Sequence, residues 1–264
     1  MPPALSAITH HVSPRLNECE LSFRQREAIA YPRAVQQHRA YCDLLRRQGI
    51  SVIELSANRD FPDSVFVEDT AVVVDEVAVI CRMGAPSRRG EELAVAAALA
   101  EHRPLAKIAA PATLEGGDVL QIGKNIFVGQ GSRTNPAGAR ALAGALKPFG
   151  YRVIPVELRG CLHLKSACTA LDELTVIMNP DWVSRDIFRE YRVVTVPPQE
   201  PEAANVLRLN ETVCLIAAFP RTAELVRSLG YRLETLDISE LLKAEAALTC
   251  SSIIFKTCAL ASLR

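Results

Sequence analysis

Apolar and polar positions along this chain switch between two periods, and they do so in the same order several times. The stretch FVEDTAVVVDEVAVICR, from Phe66, holds two β-branched runs joined by a polar turn at Asp75 and Glu76, which predicts a β-hairpin. The shape returns in LEGGDVLQIGKNIFVGQ from Leu114, in LHLKSACTALDELTVIMN from Leu162, turning at Leu171 to Glu173, and in AANVLRLNETVCLIAAF from Ala203, turning at Asn210 and Glu211. A last stretch, LTCSSIIF, starts at Leu248.

After each hairpin the period changes from two to about 3.6, and a short strand bounded by Gly or Pro follows. EELAVAAALAEH leads to AKIAA, NPAGARALAGALKPFG to YRVIPV, DIFREY to RVVTV, and TAELVRSLG to YRLETLD; at the front, RAVQQHRAYCDLLRRQG leads to SVIEL, with an opening strand near Ile8 to Val12. The unit is ββαβ. Asp69, Asp118, His163, Asn205 and Cys250 sit at its equivalent point, at intervals of 49, 45, 42 and 45 residues, the period of a propeller-like array with five units. A doubly wound α/β sheet also alternates strands and helices, but it is mostly parallel and needs no antiparallel turn in every unit.

Composition narrows the class. The 264 residues are 49% hydrophobic, enough to bury a substantial core in one domain spanning residues 1–264. Lys plus Arg and Asp plus Glu both number 30, so no global field draws nucleic acid or an anionic membrane. The eight cysteines, Cys19, Cys42, Cys81, Cys161, Cys168, Cys214, Cys250 and Cys258, include no C-x-x-C pair, and the N-terminus lacks a basic segment followed by an apolar one. The expected setting is cytoplasmic with reduced thiols. No apolar run reaches the roughly 20 residues that span a bilayer. A homodimer is left open.

If the repeat closes on an axis, the residues at each hairpin mouth face one pocket. Cys250 alone reads as a small buried hydrophobe, but a nucleophilic cysteine needs an acid or base partner, and His163 occupies an equivalent mouth. Cys161 and His163 alternate onto one strand face with no third ligand nearby in sequence, which speaks against zinc. Glu115 and Asp118 bracket Gly116 and Gly117, either as a solvated turn or as a place where backbone approaches a ligand and a carboxylate points inward. Glu68 and Asp69, with Asp63 before them, are adjacent on an expected strand, so only one of the pair points into the pocket. Arg88 and Arg133 read as solvated loop residues, or as a bidentate pair for a substrate carboxylate.

In order, FPDSVFVEDTAVV, GAPSRRGE, TLEGGDVL, RTN, LHLKS, AAN, the Tyr231 and Arg232 pair and LTCSS resemble the dimethylarginine dimethylaminohydrolases of the guanidino-modifying, amidinotransferase-like superfamily. The likeness runs from about Ile8 to Phe255. It implies a five-bladed pseudosymmetric α/β propeller of ββαβ units, Cys250 as nucleophile, His163 as general acid and base, and Glu115 as the carboxylate supporting both histidine and guanidinium. It further implies a substrate-binding set of Asp69, Asp63, Glu68, Arg88 and Arg133, with Leu21 on a mobile lid, no cofactor, no metal, and a methylated arginine as the small-molecule substrate. The lid assignment falls in residues 13–26, where the likeness is weakest.

Two departures stand out. Lys165 occupies a position where the related arginine deiminases carry a carboxylate, which favours an alkylated nitrogen, and Glu115 stands where some relatives have Asp. Two other functions stay open: a deiminase or dihydrolase of free arginine or another guanidine, and a catalytically silent binding relative.

Overall fold

The computed structural model describes residues 4–257, so Cys258 lies outside the described residues. Five three-stranded sheets make up the fold. β1 (Leu5–His10) is followed by α1 (Tyr31–Arg47) and by β2 (Ser51–Leu55), parallel to β1. The second sheet contains β3 (Ala71–Val73), β4 (Ala78–Ile80), α2 (Glu92–Ala100) as its crossover, and β5 (Leu105–Lys107); the third contains β6 (Val119–Ile122), β7 (Asn125–Gln130), α3 (Pro136–Leu146) and β8 (Arg152–Glu157). After the one-turn α4 (Leu164–Ala167) come β9 (Cys168–Ala170), β10 (Thr175–Met178) and β11 (Arg192–Thr195), and then β12 (Leu207–Leu209), β13 (Thr212–Ile216), α5 (Pro220–Ser228) and β14 (Arg232–Leu236). One further turn, α6 (Ser239–Leu242), precedes β15 (Ile253–Lys256), which pairs antiparallel with β1.

In each sheet an antiparallel hairpin is followed by a parallel third strand. The strand pattern of the ββαβ unit read from the sequence is therefore present five times, with an α-helical crossover in four of them, and in the first sheet the chain's last described strand supplies the hairpin partner. The expected helix at DIFREY is instead a single 3-10 turn, Arg185–Phe188, capped by the Ser184 hydroxyl. Six residues carrying one apolar pair cannot sustain a longer helix.

The core explains why the hairpin strands read as unbroken apolar runs. Alternate residues of a middle strand enter different clusters: Val213 and Leu215 pack with the fourth sheet, whereas Cys214 and Ile216 pack with the first. Ile126 and Val128 likewise join the second sheet, and Phe127 the fourth. Each of these middle strands is buried on both faces. Five clusters join neighbouring sheets in turn, and the last, containing Leu209, Ile216, Ala7 and Tyr41, returns to the first sheet. This is a five-bladed α/β propeller, tied by a blade built from both ends of the chain.

Among the described residues, no helix is long and apolar enough to cross a membrane, and the seven described cysteines are free thiols.

Candidate active site

Four of the five mouths are single helical turns rather than strand starts: Val67–Thr70, Gly116–Asp118, α4 and Thr249–Ser251. The Val67–Thr70 turn packs on the Gly116–Asp118 and Thr249–Ser251 turns, and α4 packs on Gly116–Asp118. This overturns the expectation that alternation sends only one of Glu68 and Asp69 inward. In a 3-10 turn successive side chains are about 120° apart rather than opposed, and both carboxylates are buried.

Each has its own partners. Asp69 Oδ1 accepts the Gly117 N–H at 3.0 Å and lies 3.8 Å from His163 Nε2, while its Oδ2 accepts from Arg88 at 2.7 Å. Glu68 meets Lys165 Nζ at 2.6 Å through one oxygen and accepts the Thr249 hydroxyl at 2.7 Å through the other. Burial raises the Glu68 carboxyl against the lowering effect of Lys165.

Glu115 and Asp118 are both fully buried, so the solvated-turn reading fails. Glu115 Oε2 is 2.8 Å from His163 Nε2; its Oε1 accepts the N–H groups of Gly84 and Ala85 at 3.0 and 3.3 Å, with Arg133 at 3.5 Å. Burial works to raise the Glu115 carboxyl, but the His163 hydrogen bond and charge outweigh it and hold the group well below its ordinary value. For His163, burial works to lower the pKa, yet Asp69, Glu115 and Asp118 together raise it to about 9. The imidazole is therefore protonated at neutral pH. Burial raises Asp118 to about 6 while its Oδ1 accepts the Leu164 N–H at 3.0 Å, which anchors the turn after His163.

The two glycines serve the protein's own packing rather than approach to a ligand. A side-chain carbon at Gly117 lands 2.7 Å from Asp69 Oδ1 and 2.8 Å from His163 Nδ1, and one at Gly116 lands 2.0 Å from the Glu68 carbonyl oxygen. Only glycine lets three mouths converge this closely.

Arg88 and Arg133 are not solvated. Arg88 donates to both oxygens of Glu91, to Asp69 and to the Phe66 carbonyl. Arg133 donates to Ser22 Oγ at 3.4 Å, and its Nη1 is buried without a hydrogen-bond partner. Asp63 is buried, its carboxyl raised by desolvation, and accepts the Glu20 N–H at 3.2 and 3.3 Å. Leu21 and Cys250 are partly buried and pack on one apolar cluster. Cys250 Sγ accepts the Ala247 N–H at 3.4 Å and makes no hydrogen bond to His163 among the described residues. Burial, reinforced by Glu68 and Asp69, pushes this thiol well above its ordinary value.

Donor atoms of Asp69, Glu115 and His163 lie within 4.8 Å of one another, so the third donor absent near His163 in sequence is present in space. Each carboxylate already faces an arginine, which supplies the positive charge that a metal ion brings. Cys161 turns away to the His163 carbonyl, at 3.5 Å.

Sequence reasoning missed Glu91, Thr249 and the pairing of Lys165 with Glu68. Glu91 stands three residues after Arg88, a spacing that carries a signal; the other contacts join distant segments and leave no local trace. Asn205, at the fourth mouth, donates to the Lys165 carbonyl at 2.9 Å and to Thr249 Oγ1 at 3.0 Å, and accepts the Thr249 N–H at 3.2 Å.

Fold and site define a class, the five-bladed α/β propellers, here with a cysteine, a histidine and carboxylates at the blade mouths. At the level of fold alone, an amidinotransferase from Microseira wollei superposes with a TM-score of 0.78 at 16% identity, covering 99% of this chain and 96% of that one. Within the class the match sharpens. A sequence model described as "N,N dimethylarginine dimethylhydrolase, eukaryotic" matches residues 7–212. The N(G),N(G)-dimethylarginine dimethylaminohydrolase of Streptomyces coelicolor is 40% identical over 253 residues, 95% of this chain and 97% of that protein. The solved structure of the Pseudomonas aeruginosa enzyme of this type, a Cys-to-Ser mutant complexed with citrulline, superposes with a TM-score of 0.91 at 32% identity over 95% of this chain and 98% of that one. This chain belongs to the dimethylarginine dimethylaminohydrolase family.

Proposed function

We propose that this chain is a single-domain hydrolase that converts asymmetric dimethylarginine or monomethylarginine and water to citrulline and dimethylamine or methylamine. The observation that carries this reading is the clustering of His163, Glu115 and buried Asp69 within 4.8 Å of one another, with Asp69 also acting on the Cys250 thiol, in a chain whose relatives bear that activity in their names.

A guanidinium carbon is electrophilic but strongly resonance-stabilised, so attack needs a soft nucleophile and carboxylates that hold the planar cation edge-on. Asp69 and Glu68 receive the cation, with Glu115 behind. Asp63, tied to the Leu21 segment through the Glu20 N–H, completes the substrate-binding set. Arg133, whose Nη1 makes no hydrogen bond among the described residues and only the 3.5 Å ion pair with Glu115, takes the α-carboxylate; Arg88 joins it by exchanging Asp69 for that carboxylate as the substrate cation takes its place.

Burial and then two negative charges raise the Cys250 thiol; an arriving cation offsets the charges and favours the thiolate, the thiol proton passing to solvent. Cys250 Sγ then bonds to the guanidinium carbon, His163 gives its proton to the amine nitrogen, and the carbon–nitrogen bond breaks to release the amine and leave a thiouronium. Water, losing a proton to His163, adds to that carbon. The carbon–sulfur bond breaks, and the remaining hydroxyl proton passes to the departing sulfur or to solvent, which restores the resting thiol and releases neutral citrulline. Atoms balance with water as the sole co-substrate.

Lys165 neutralises Glu68 where a second free carboxylate would bracket an unmethylated nitrogen, which favours methylated over free arginine. Citrulline release from dimethylarginine, compared with that from arginine as kcat/KM, tests the reading. Preference for arginine moves the chain to the deiminase or dihydrolase reading; no product from either substrate supports a silent relative.

A further inference from the structure

The segment around Leu21 is held by more than its apolar contact. The backbone N–H groups of Ser22, Phe23 and Arg24 all donate to the Glu245 carboxylate, at 2.5–3.0 Å. Successive amides converging on one anion form a nest, and here the anion belongs to a distant part of the same chain. Glu245 has φ of 57°, a left-handed conformation rare for a residue with a side chain, and such outliers point toward function. Ala244 and Ala246 on either side are buried, so the unusual backbone keeps two alanines in the core while the carboxylate reaches the loop.

The loop is tied at further points. Arg24 pairs with Glu202, the Glu20 N–H donates to Asp63, the Glu20 carboxylate accepts the Ser87 hydroxyl, and Ser22 Oγ accepts from Arg133. At the other side of the clasp, Glu245 stands two residues before Ala247, whose N–H contacts Cys250 Sγ. A cavity of about 120 Å³ lies beside it, lined by Phe23, Arg24, Cys161, Glu202, Asn205 and Ala247. The same carboxylate thus links the loop carrying Leu21 to the loop carrying the nucleophile.

We propose that Glu245 is a positioning residue: by gathering the amides of residues 22–24 it holds the Leu21 segment against the Cys250 site and sets the enclosure in which substrate is bound. The effect on turnover rests on the hydrolase reading; the clasp itself does not.

Trypsin cleavage after Arg24 and Arg26 in the folded protein, with amide exchange at residues 22–24, measures the clasp without substrate. Glu245→Gln removes the charge, and Glu245→Gly removes the side chain while suiting the left-handed backbone, so one variant stays folded even if the other does not. Since three charge-assisted hydrogen bonds are weakened or lost, both should speed cleavage and exchange by at least roughly tenfold with Tm little changed. In methylarginine hydrolysis KM should rise severalfold and kcat much less, with Glu245→Asp recovering part of the loss. Wild-type cleavage rates in both variants would overturn the clasp, and an unchanged KM alongside faster cleavage would overturn its positioning role.

Discussion

The two sides of the site are prepared to different degrees. On the histidine side, Glu115, Asp69 and Asp118 each carry defined partners, the mouths are pressed together by Gly116 and Gly117, and His163 is held in its protonated form. On the cysteine side, Cys250 has one N–H contact from Ala247, no bond to the imidazole among the described residues, and a thiol pushed away from ionisation. A preformed thiolate–imidazolium pair would make the two sides alike. Under the proposed hydrolase reading, the difference means that proton delivery and cation binding are preorganised, whereas activation of the nucleophile is left to the charge of the substrate.

Removing the less prepared side should have the largest effect. Cys250→Ser should cut citrulline formation by about 10⁴-fold or more while leaving Tm nearly unchanged, because the side chain makes only one polar contact; substantial residual turnover contradicts covalent catalysis. Glu115→Gln attacks the prepared side. With the His163 partner uncharged, kcat should fall by roughly 10²–10³-fold, and a kcat close to wild type would show that the ion pair does not support the acid.

Backbone closeness is tested by Gly117→Ala. The new methyl group presses on Asp69 and His163, and a loss of about 1–3 kcal/mol in denaturant stability is expected, together with reduced kcat. The same pair has a pH signature. His163 is raised from 6.5 to about 9 on folding, so the stability it contributes is fully present below pH 6.5 and lost as pH climbs through about 9. Tm should decline over that window in the wild type and decline less in Glu115→Gln. Asn205→Ala gives the smallest effect, about 1–2 kcal/mol of stability from lost hydrogen bonds, with kcat moved least because Asn205 touches mouth backbones and Thr249 rather than reacting groups.

Much of this was legible in the sequence, for identifiable reasons. The doubly buried middle strands produce runs such as VAVIC and ETVCLIAAF, and a repeating unit places Asp69, Glu115, His163 and Cys250 at equivalent ends of four of the blades. The charge network was not legible. Period-two reasoning assigned Glu68 and Asp69 to opposite faces because it continued the strand through a 3-10 turn. Arg88 looked like a surface residue because nothing local reveals Asp69 beside it, and the three-residue spacing to Glu91 is equally common on solvated turns. Glu245 carries no sequence signal, since its role depends on a left-handed backbone and on amides more than 220 residues away.

The claim that the nucleophile is unprepared is tested most directly by the ultraviolet thiolate absorbance of wild type minus Cys250→Ser, recorded as a function of pH. The thiol should remain protonated through pH 7 and ionise only above the ordinary thiol value of 9.0, with the thiolate signal rising at neutral pH when a guanidinium ligand is added. A thiolate already formed at pH 7 without ligand would contradict the account.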